Sequence, residues 1–565
     1  MLLKEIQVGI DVGGTFTDAV LLEDNRIVEK AKIATQAENV LGTVLHALDE
    51  LKVYHKVVTR ITVSTTLITN AILQQRLPQV DLLLFPGSGM SLKALKWPVP
   101  YQVLKGELDY RGREVSSPDE LEWRRLLNRY QEFPGSKVAI VGKFSHRNSL
   151  HEENLAFYLQ KHCPDLEICL GHEWGQANFY RRSLTTYLNL ACEEVYQTFA
   201  HQLQQAVFQK GSSAKIHVLK ADGGVVPLQT LRPVESIYSG PAASILGALA
   251  QTNTGPDFDS ETDQSFVVVD IGGTTTDIGL ILSGEPLMSA YGAKIGDFST
   301  LVRTLAVRSI AAGGDSTILS EGDGFRIETY RRGPAYCLGG PAPTPTDAMC
   351  YLNLIPFGDR LKAEQGLVQL LPECKRDSFN LERLSNEILA RFADNIAQAI
   401  ESIIREWREE PAYKVWEVLH PHEEQNMFIE VSGGGAPGLV KALSMRLNSP
   451  VKIGDFPEVS NAIGAALARP TFSCTLHLDT FMKRYQIEET GLQGEWLGSR
   501  KPHKEIEEFL REIAEKSARD QGIELKKPKI QPFDYFPIVK GYQTVGQIIQ
   551  GSLIVSPGVR GRLKS

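Results

Sequence analysis

The sequence predicts an α/β protein with an internal duplication and a small α+β module at its C-terminal end. Three observations carry this reading. The stretch Asp11-Val12-Gly13-Gly14-Thr15-Phe16-Thr17-Asp18 recurs 259 residues further on as Asp270-Ile271-Gly272-Gly273-Thr274-Thr275-Thr276-Asp277, identical at six of eight positions. Each copy is entered by an apolar run (residues 6–10 and 266–269) and left by another (19–22 and 278–282), so each reads as strand, Gly-rich turn, strand. Strand-like runs at 80–85, 137–141 and 166–170 alternate with helical stretches, as an α/β domain requires.

Along the chain, a third strand over 26–33 and a helix over 40–52 follow the first hairpin. Residues 62–74 then place hydroxyls and Asn70 at the start of a further helix, where they either cap it or face a ligand. A long helix is predicted over 182–209, leading to a strand at 215–219 and the Asp222-Gly223-Gly224 turn. Residues 239–250 read as a helix with a Ser-Gly-Pro entrance, since Pro is accepted in a first turn. The Thr-, Asp-, Gly- and Pro-containing stretch 252–264 is a surface loop ahead of the second hairpin. Three prolines over 341–345 stiffen the approach to Asp347, which is either held toward a ligand or placed at a helix N-terminus. In the tail, Ile506, Phe509, Leu510 and Ile513 follow i, i+3, i+4, i+7, giving one amphipathic helix. Strand-like runs such as 543–554 complete a module whose apolar face is expected against the main body.

The repeated hairpins carry the chemistry. Paired glycines let a backbone approach an anion unobstructed, and consecutive turn amides form a concave donor cluster for phosphate oxygens. Gly13, Gly14, Thr15 and Thr17, with Gly272, Gly273, Thr274 and Thr275, are the candidate phosphate contacts. Asp11 and Asp270 would repel phosphate directly, so their chemistry is to hold Mg²⁺ or orient a nucleophile, whereas Asp18 and Asp277 are read as capping and orienting the hairpins. One such turn alone is an ordinary hairpin; turn geometry does not demand the threonines and terminal Asp pairs of both copies. A strand at 426–431, the loop Ser432-Gly433-Gly434-Gly435-Ala436-Pro437-Gly438 and a helix over 439–447 place free amides where a ribose or phosphate can lie, and Gly433, Gly434 and Gly435 are the candidates there. Neither G-x-G-x-x-G nor G-x-x-x-x-G-K-[ST] accounts for this loop.

Composition sets outer bounds. At 565 residues the chain exceeds one core, and 42% hydrophobic with 23% charged residues is ordinary globular usage. A net charge of −8 without a basic stripe excludes a nucleic-acid backbone as partner, and Lys526-Lys527-Pro528-Lys529 reads as a solvated linker. No apolar run approaches the ~20 residues of a membrane span, and Lys4 and Glu5 interrupt any leader-like opening. Seven cysteines without a C-x-x-C pair fit neither a zinc site nor a disulfide framework, so a cytoplasmic location is expected. Cys337 reads as a buried thiol, His146 and His151 as surface-loop residues, and His420-Pro421-His422-Glu423-Glu424 as a solvated connection.

Two phosphate hairpins and a late Gly-rich loop resemble the actin/Hsp70/sugar-kinase ATPase superfamily. Within it the chain resembles the hydantoinase A / 5-oxoprolinase family. The similarity rests on Gly9-Ile10-Asp11-Val12-Gly13-Gly14-Thr15-Phe16-Thr17-Asp18, on Ser64-Thr65-Thr66-Leu67-Ile68-Thr69-Asn70-Ala71-Ile72-Leu73 and on Ser239-Gly240-Pro241-Ala242-Ala243. It continues through Ser309-Ile310-Ala311-Ala312-Gly313-Gly314-Asp315-Ser316, then Gly333-Pro334-Ala335-Tyr336 with Pro345-Thr346-Asp347-Ala348, and covers roughly residues 1–470. The resemblance implies two actin/RNase H-like domains around a nucleotide cleft, here residues 1–181 and 182–470, with 471–565 as the α+β module. It also implies ATP and Mg²⁺ as cofactors, adenosine against Gly433–Gly435, and phosphorylation of a cyclic amide or imide carbonyl before hydrolysis.

Two departures stand out. Ala306-Val307-Arg308-Ser309 replaces the family's Asp-Ile-His-Thr, and Asp315 stands where the family usually has glycine. Rival expectations are therefore an ATP-using subunit of a ketone carboxylase-like complex and a nucleotide-driven reactivase or chaperone. A small amide or imide substrate, a second hydantoinase B-like subunit and an oligomeric state are expected as partners.

Overall fold

A computed structural model describes residues 5–36, 38–252, 265–322, 324–371, 377–409, 427–499 and 504–564. The expected loop at 252–264, past Thr252, and the His420–Glu424 connection lie outside the described residues. The fold is mixed α/β, and its two principal sheets repeat one topology.

In the first sheet, Ile6–Val12 is central. Phe16–Glu23 folds back antiparallel on one side of it, followed by antiparallel Arg26–Ala34. On the other side lie parallel Arg60–Thr65 and Lys215–Leu219. In the second sheet, Phe266–Ile271 is central, with antiparallel Thr276–Leu282 and Val307–Ile310 on one side and parallel Phe428–Ser432 and Val451–Ile453 on the other. The duplication at the two turns thus extends to strand order and direction. The central strands are buried along most or all of their length, as parallel neighbours covered on both faces require.

The first lobe holds an insertion. Four parallel strands, Glu167–Leu170, Lys137–Gly142, Val80–Phe85 and Tyr101–Val103, form a separate sheet in that order. Its faces are closed by Leu126, Tyr130, Leu155 and Leu159 on one side and by Leu190 and Ala191 of the helix Phe179–Gln209 on the other. The boundary expected at 181/182 falls inside that helix. Because Lys215–Leu219 pairs with Arg60–Thr65, we draw the end of the first lobe after Val225–Pro227, past the insertion that separates its strands in sequence.

His146 and His151, expected on a surface loop, are buried. Arg182 from the long helix reaches His146 Nδ1 at 3.3 Å, and Glu114 reaches His151 Nε2 at 3.0 Å; both partners are remote in sequence, and local polarity did not reveal them. The C-terminal sheet, from Phe472–Asp479 onward, is antiparallel and is backed by the helix Glu505–Asp520. Phe472, Leu476, Ile506 and Leu510 share one core with Val8, Ile10, Leu188 and Tyr196, so the module is packed on the main body.

Two helices join the lobes. Ser239–Gln251 packs Ala243, Ile245 and Leu246 among Phe266, Val268 and Ile281 of the second sheet, whereas Ser460–Leu467 packs Ala462, Ile463 and Ala466 on Val20 and Leu22 of the first. They cross in backbone contact. A Cβ on Gly464 would stand 2.0 Å from the Ala243 carbonyl oxygen, and one on Gly247 would stand 2.0 Å from that of Ser460. Gly464→Ala is therefore expected to destabilise the protein by about 1–3 kcal/mol through overpacking. Gly14→Ala, where a methyl meets nothing within 4 Å, should stay within about 0.5 kcal/mol. Urea unfolding monitored by circular dichroism checks the contrast.

Candidate functional site

Both hairpins end in the same four-residue turn. Gly13 N–H donates to Phe16 O at 3.1 Å and Gly272 N–H to Thr275 O at 3.0 Å. A Cβ on Gly13 would meet Phe16 O at 2.8 Å, so the tight closure needs glycine there. Gly14, Gly273 and Thr274 are exposed at the tips, and Gly13, Thr15, Gly272 and Thr275 are half-buried. Thr17 differs from these residues. It is a strand residue, fully buried, with its hydroxyl hydrogen-bonded to Thr35 Oγ1 at 2.9 Å, so it lies behind the turn.

The strand registers set Asp11 opposite Asp18 and Asp270 opposite Asp277. Asn461, at the start of the crossing helix Ser460–Leu467, reaches the first hairpin: its Nδ2 donates to Asp11 Oδ2 at 3.2 Å. Burial holds both carboxyls above the usual carboxylate range, against the hydrogen bonds from Asn461 at Asp11 and from Ser432 at Asp270. The charge of Asp270 raises Asp11 further. Burial also pushes Asp18 up to about 6, despite Lys32 at 2.6 Å, and Asp277 up to about 7, despite Ser309. Asp11 Oδ1 is buried without a hydrogen-bond partner.

The late glycine loop closes on the same point. Gly433 has φ +90°, and a Cβ there would stand 2.4 Å from Ile271 O and 2.6 Å from Asp270 Oδ1. Ser432 Oγ donates to Asp270 Oδ1 at 3.4 Å. Gly433–Gly435 thus lies against the end of the second central strand and leads into the helix Ala436–Leu447. On the other flank, Ser239 Oγ joins Ser64 Oγ at 3.2 Å, and a Cβ on Gly240 would come within 3.8 Å of Asp11 Oδ1. Ser64 therefore serves the site wall, tying its strand to the first crossing helix.

Arg331 spans the turns themselves. Its Nη1 donates to Thr15 Oγ1 at 2.7 Å and to Thr274 Oγ1 at 3.4 Å, and its Nη2 pairs with Asp315 Oδ2 at 3.1 Å. The two turn tips therefore face one guanidinium. Sequence reasoning missed Arg331 and Asn461, neither of which lies in a recognisable motif; Asp315 carried a signal as a departure from glycine.

Other candidates have structural roles. Asp347 accepts from the backbone N–H groups of Tyr336, Cys337 and Thr344 in a capping box, which fixes the proline-rich segment. Cys337 is buried, and burial pushes its thiol up, so it is unreactive. Arg308, in place of the family's histidine, donates to Glu406 Oε1 and Oε2 at 2.7 and 2.6 Å and to Ser402 at 2.7 Å, on the helix Ser378–Arg408. Among the described residues no group of three or more His, Cys, Asp and Glu side chains is gathered around a metal position, and no helix is long and apolar enough to cross a membrane.

The fold and site define a two-lobed α/β protein with paired Gly-Thr turns meeting over buried carboxylates. Residues 7–163 match the hydantoinase/oxoprolinase N-terminal region and residues 182–473 match hydantoinase/oxoprolinase itself. The chain belongs to the hydantoinase/oxoprolinase family. It is 26% identical over 396 residues to caprolactamase subunit alpha of Pseudomonas jessenii, covering 63% of this chain and 55% of that one. It is 23% identical over 454 residues to the acetophenone carboxylase gamma subunit of Aromatoleum aromaticum, covering 70% and 60%. The chain thus matches little more than half the length of these two relatives. The nucleotide-free structure of acetone carboxylase shares the fold, with a TM-score of 0.70 at 14% identity, across 100% of this chain and 89% of that one.

The raised carboxyls fix the sign of a pH effect. An Asp held at about 7 in the folded state against 3.8 ordinarily keeps its proton where the unfolded chain has lost it, so stability falls as pH rises from about 4 to 7. Asp18, and Glu430 pushed up to about 7 by burial, act in the same direction. Without ligands, the Tm is expected to be lower at pH 8 than at pH 5 by several degrees. Asp277→Asn should reduce that difference, as differential scanning calorimetry at both pH values would show.

Proposed function

We propose that this chain is the nucleotide-using part of an ATP-dependent amidohydrolase acting on a cyclic amide or imide. The carrying observation is convergence: Arg331 links Thr15 with Thr274, and the charge of Asp270 reaches Asp11. Two actin/RNase H-like lobes would hold one triphosphate between them. Gly13, Gly14 and Thr15 grip it from one side and Gly272, Gly273, Thr274 and Thr275 from the other, with adenosine against Gly433–Gly435. Caprolactamase subunit alpha, by its name, belongs to an enzyme that cleaves a cyclic amide.

Mg²⁺ fits this donor set. It is usually held by one or two carboxylates, water and substrate phosphates, a pattern that needs no three-residue protein cluster. Asp11, whose Oδ1 has no hydrogen-bond partner, and Asp270 would hold the ion or its waters. When bound, the ion neutralises the phosphates. The turn amides and threonines orient the γ-phosphoryl toward the amide oxygen. Transfer forms an O–P bond at that oxygen and breaks the bond to the β-phosphate oxygen, releasing ADP. The carbonyl carbon, made electrophilic by the phosphate, accepts water; the tetrahedral adduct expels the protonated nitrogen as the C–N bond opens, leaving an acyl phosphate, and a second water releases phosphate and the carboxylate. Closure of the lobes about the crossing helices would exclude water until the amide is seated.

A second reading is favoured by the names of both relatives, each a subunit of a larger enzyme. Here the same activation would serve carboxylation of a ketone, with a second polypeptide completing the site. ADP release by the purified chain, alone and with any copurifying partner, should be measured against 5-oxoproline, hydantoins and lactams, and against ketones with bicarbonate. Stimulation by a cyclic amide is expected, and Asp11→Asn or Asp270→Asn should reduce it about 100-fold or more. ATP binding without stimulation by any cyclic amide, with the partner present, would sink the amidohydrolase reading.

A further inference from the structure

Arg331 has no role in the family resemblance, yet no other residue described here hydrogen-bonds through its side chain to both turn threonines. Its guanidinium is held at three corners: Thr15 at 2.7 Å from the first lobe, Thr274 at 3.4 Å and Asp315 at 3.1 Å from the second. Its Nε is anchored on Gly333 O at 2.9 Å, so the side chain is fixed at its root and bridges the lobes at its tip. Asp315 is itself built into the second turn. Its N–H donates to Gly273 O at 2.8 Å, and Gly314 N–H donates to Gly272 O at 2.9 Å. A Cβ on Gly273 would stand 2.8 Å from Asp315 Oδ2. The residue that departs from the family's glycine is thus the counter-charge of the arginine.

We propose that Arg331 is the γ-phosphate-reading arginine of this chain, stored between the two turns by Asp315 when no triphosphate is bound. This rests on the nucleotide reading above. The turns approach a phosphate chain with neutral donors, amides and hydroxyls. The aspartates below supply no positive charge, and Lys32 is engaged with Asp18. A planar guanidinium between the two turn tips supplies the charge-assisted, paired N–H donors that a terminal phosphate accepts. On entry of the triphosphate, a γ-oxygen replaces the threonine hydroxyls on Nη1, and those hydroxyls are freed to donate to phosphate. Asp315, still hydrogen-bonded through its backbone to the second turn, is a positioning residue that aims the guanidinium. A diphosphate ends short of this point, so the arginine distinguishes ATP from ADP.

Calorimetric titration with Mg·ATP and Mg·ADP tests this on the full chain and on Arg331→Met and Arg331→Lys, each checked for an unchanged Tm. Wild type should bind both nucleotides. Arg331→Met should weaken ATP binding about 10- to 100-fold while changing ADP binding less than about 3-fold. Arg331→Lys, which keeps charge but loses the fork, should fall between them. Equal losses for ATP and ADP, unchanged ATP binding, or tighter ATP binding in Arg331→Met would each overturn the assignment, the last by marking the arginine as a plug. Failure of wild type to bind either nucleotide would instead overturn the nucleotide reading itself, and the two failures are thereby separable.

Discussion

The backbone contact between the helices Ser239–Gln251 and Ser460–Leu467 is the constraint on which the rest depends. Each helix follows one lobe in sequence and packs on the sheet of the other, so the crossing fixes the distance between two sheets that share no strand. Gly247 and Gly464 allow carbonyl oxygens to occupy the space of a side chain, and Gly9 does the same where the first central strand meets Ala462. Small residues at a crossing permit this approach, and any Cβ would push the helices apart. Asn461 and Ser239 stand at the N-terminal ends of these helices, where they touch the carboxylates and hydroxyls of the site. A shift of the crossing would separate the turns.

Below the turns the protein tolerates an arrangement that is unfavourable for the empty fold. Four aspartates lie at paired registers on two hairpins, with their carboxyls raised by burial and, at Asp11, Asp18 and Asp277, by each other's charges. Perturbed carboxyls concentrate at functional sites because a site preorganised for a cation or a reacting group is seldom the most stable packing. The hydrogen bonds from Asn461 to Asp11 and from Ser432 to Asp270 partly offset burial and favour ionised groups. Asn461 reaches Asp11 from a helix that follows the second lobe, which makes the acidic floor a product of the assembled lobes.

The departures from the family pattern have different consequences. Arg308 is drawn away to Glu406 and Ser402, forming an ion pair with the long helix Ser378–Arg408. The position therefore stabilises the second lobe's flank and contributes no imidazole to the turns. Asp315, by contrast, remains at the turn and brings a cation with it. One change leads to an ion pair on the second lobe's flank; the other places a charge pair at the turns.

The sequence by itself determined the local chemistry: the repeated Asp-x-Gly-Gly-Thr turn, the strands around it, the glycine loop at 433–435 and the membership of an α/β class. These are legible because a turn closed by its own amides and an alternating apolar strand are written in consecutive residues. The buried positions of His146 and His151, the course of the first lobe past residue 181 and the pairing of Lys215–Leu219 with Arg60–Thr65 were decided only by tertiary structure. The same holds for Asn461 and Arg331, which stand 450 and 316 residues from Asp11 and Thr15, the first-hairpin groups to which they donate. Their roles arise where two lobes meet, and no periodicity or spacing within either lobe encodes which side chain will stand across the gap.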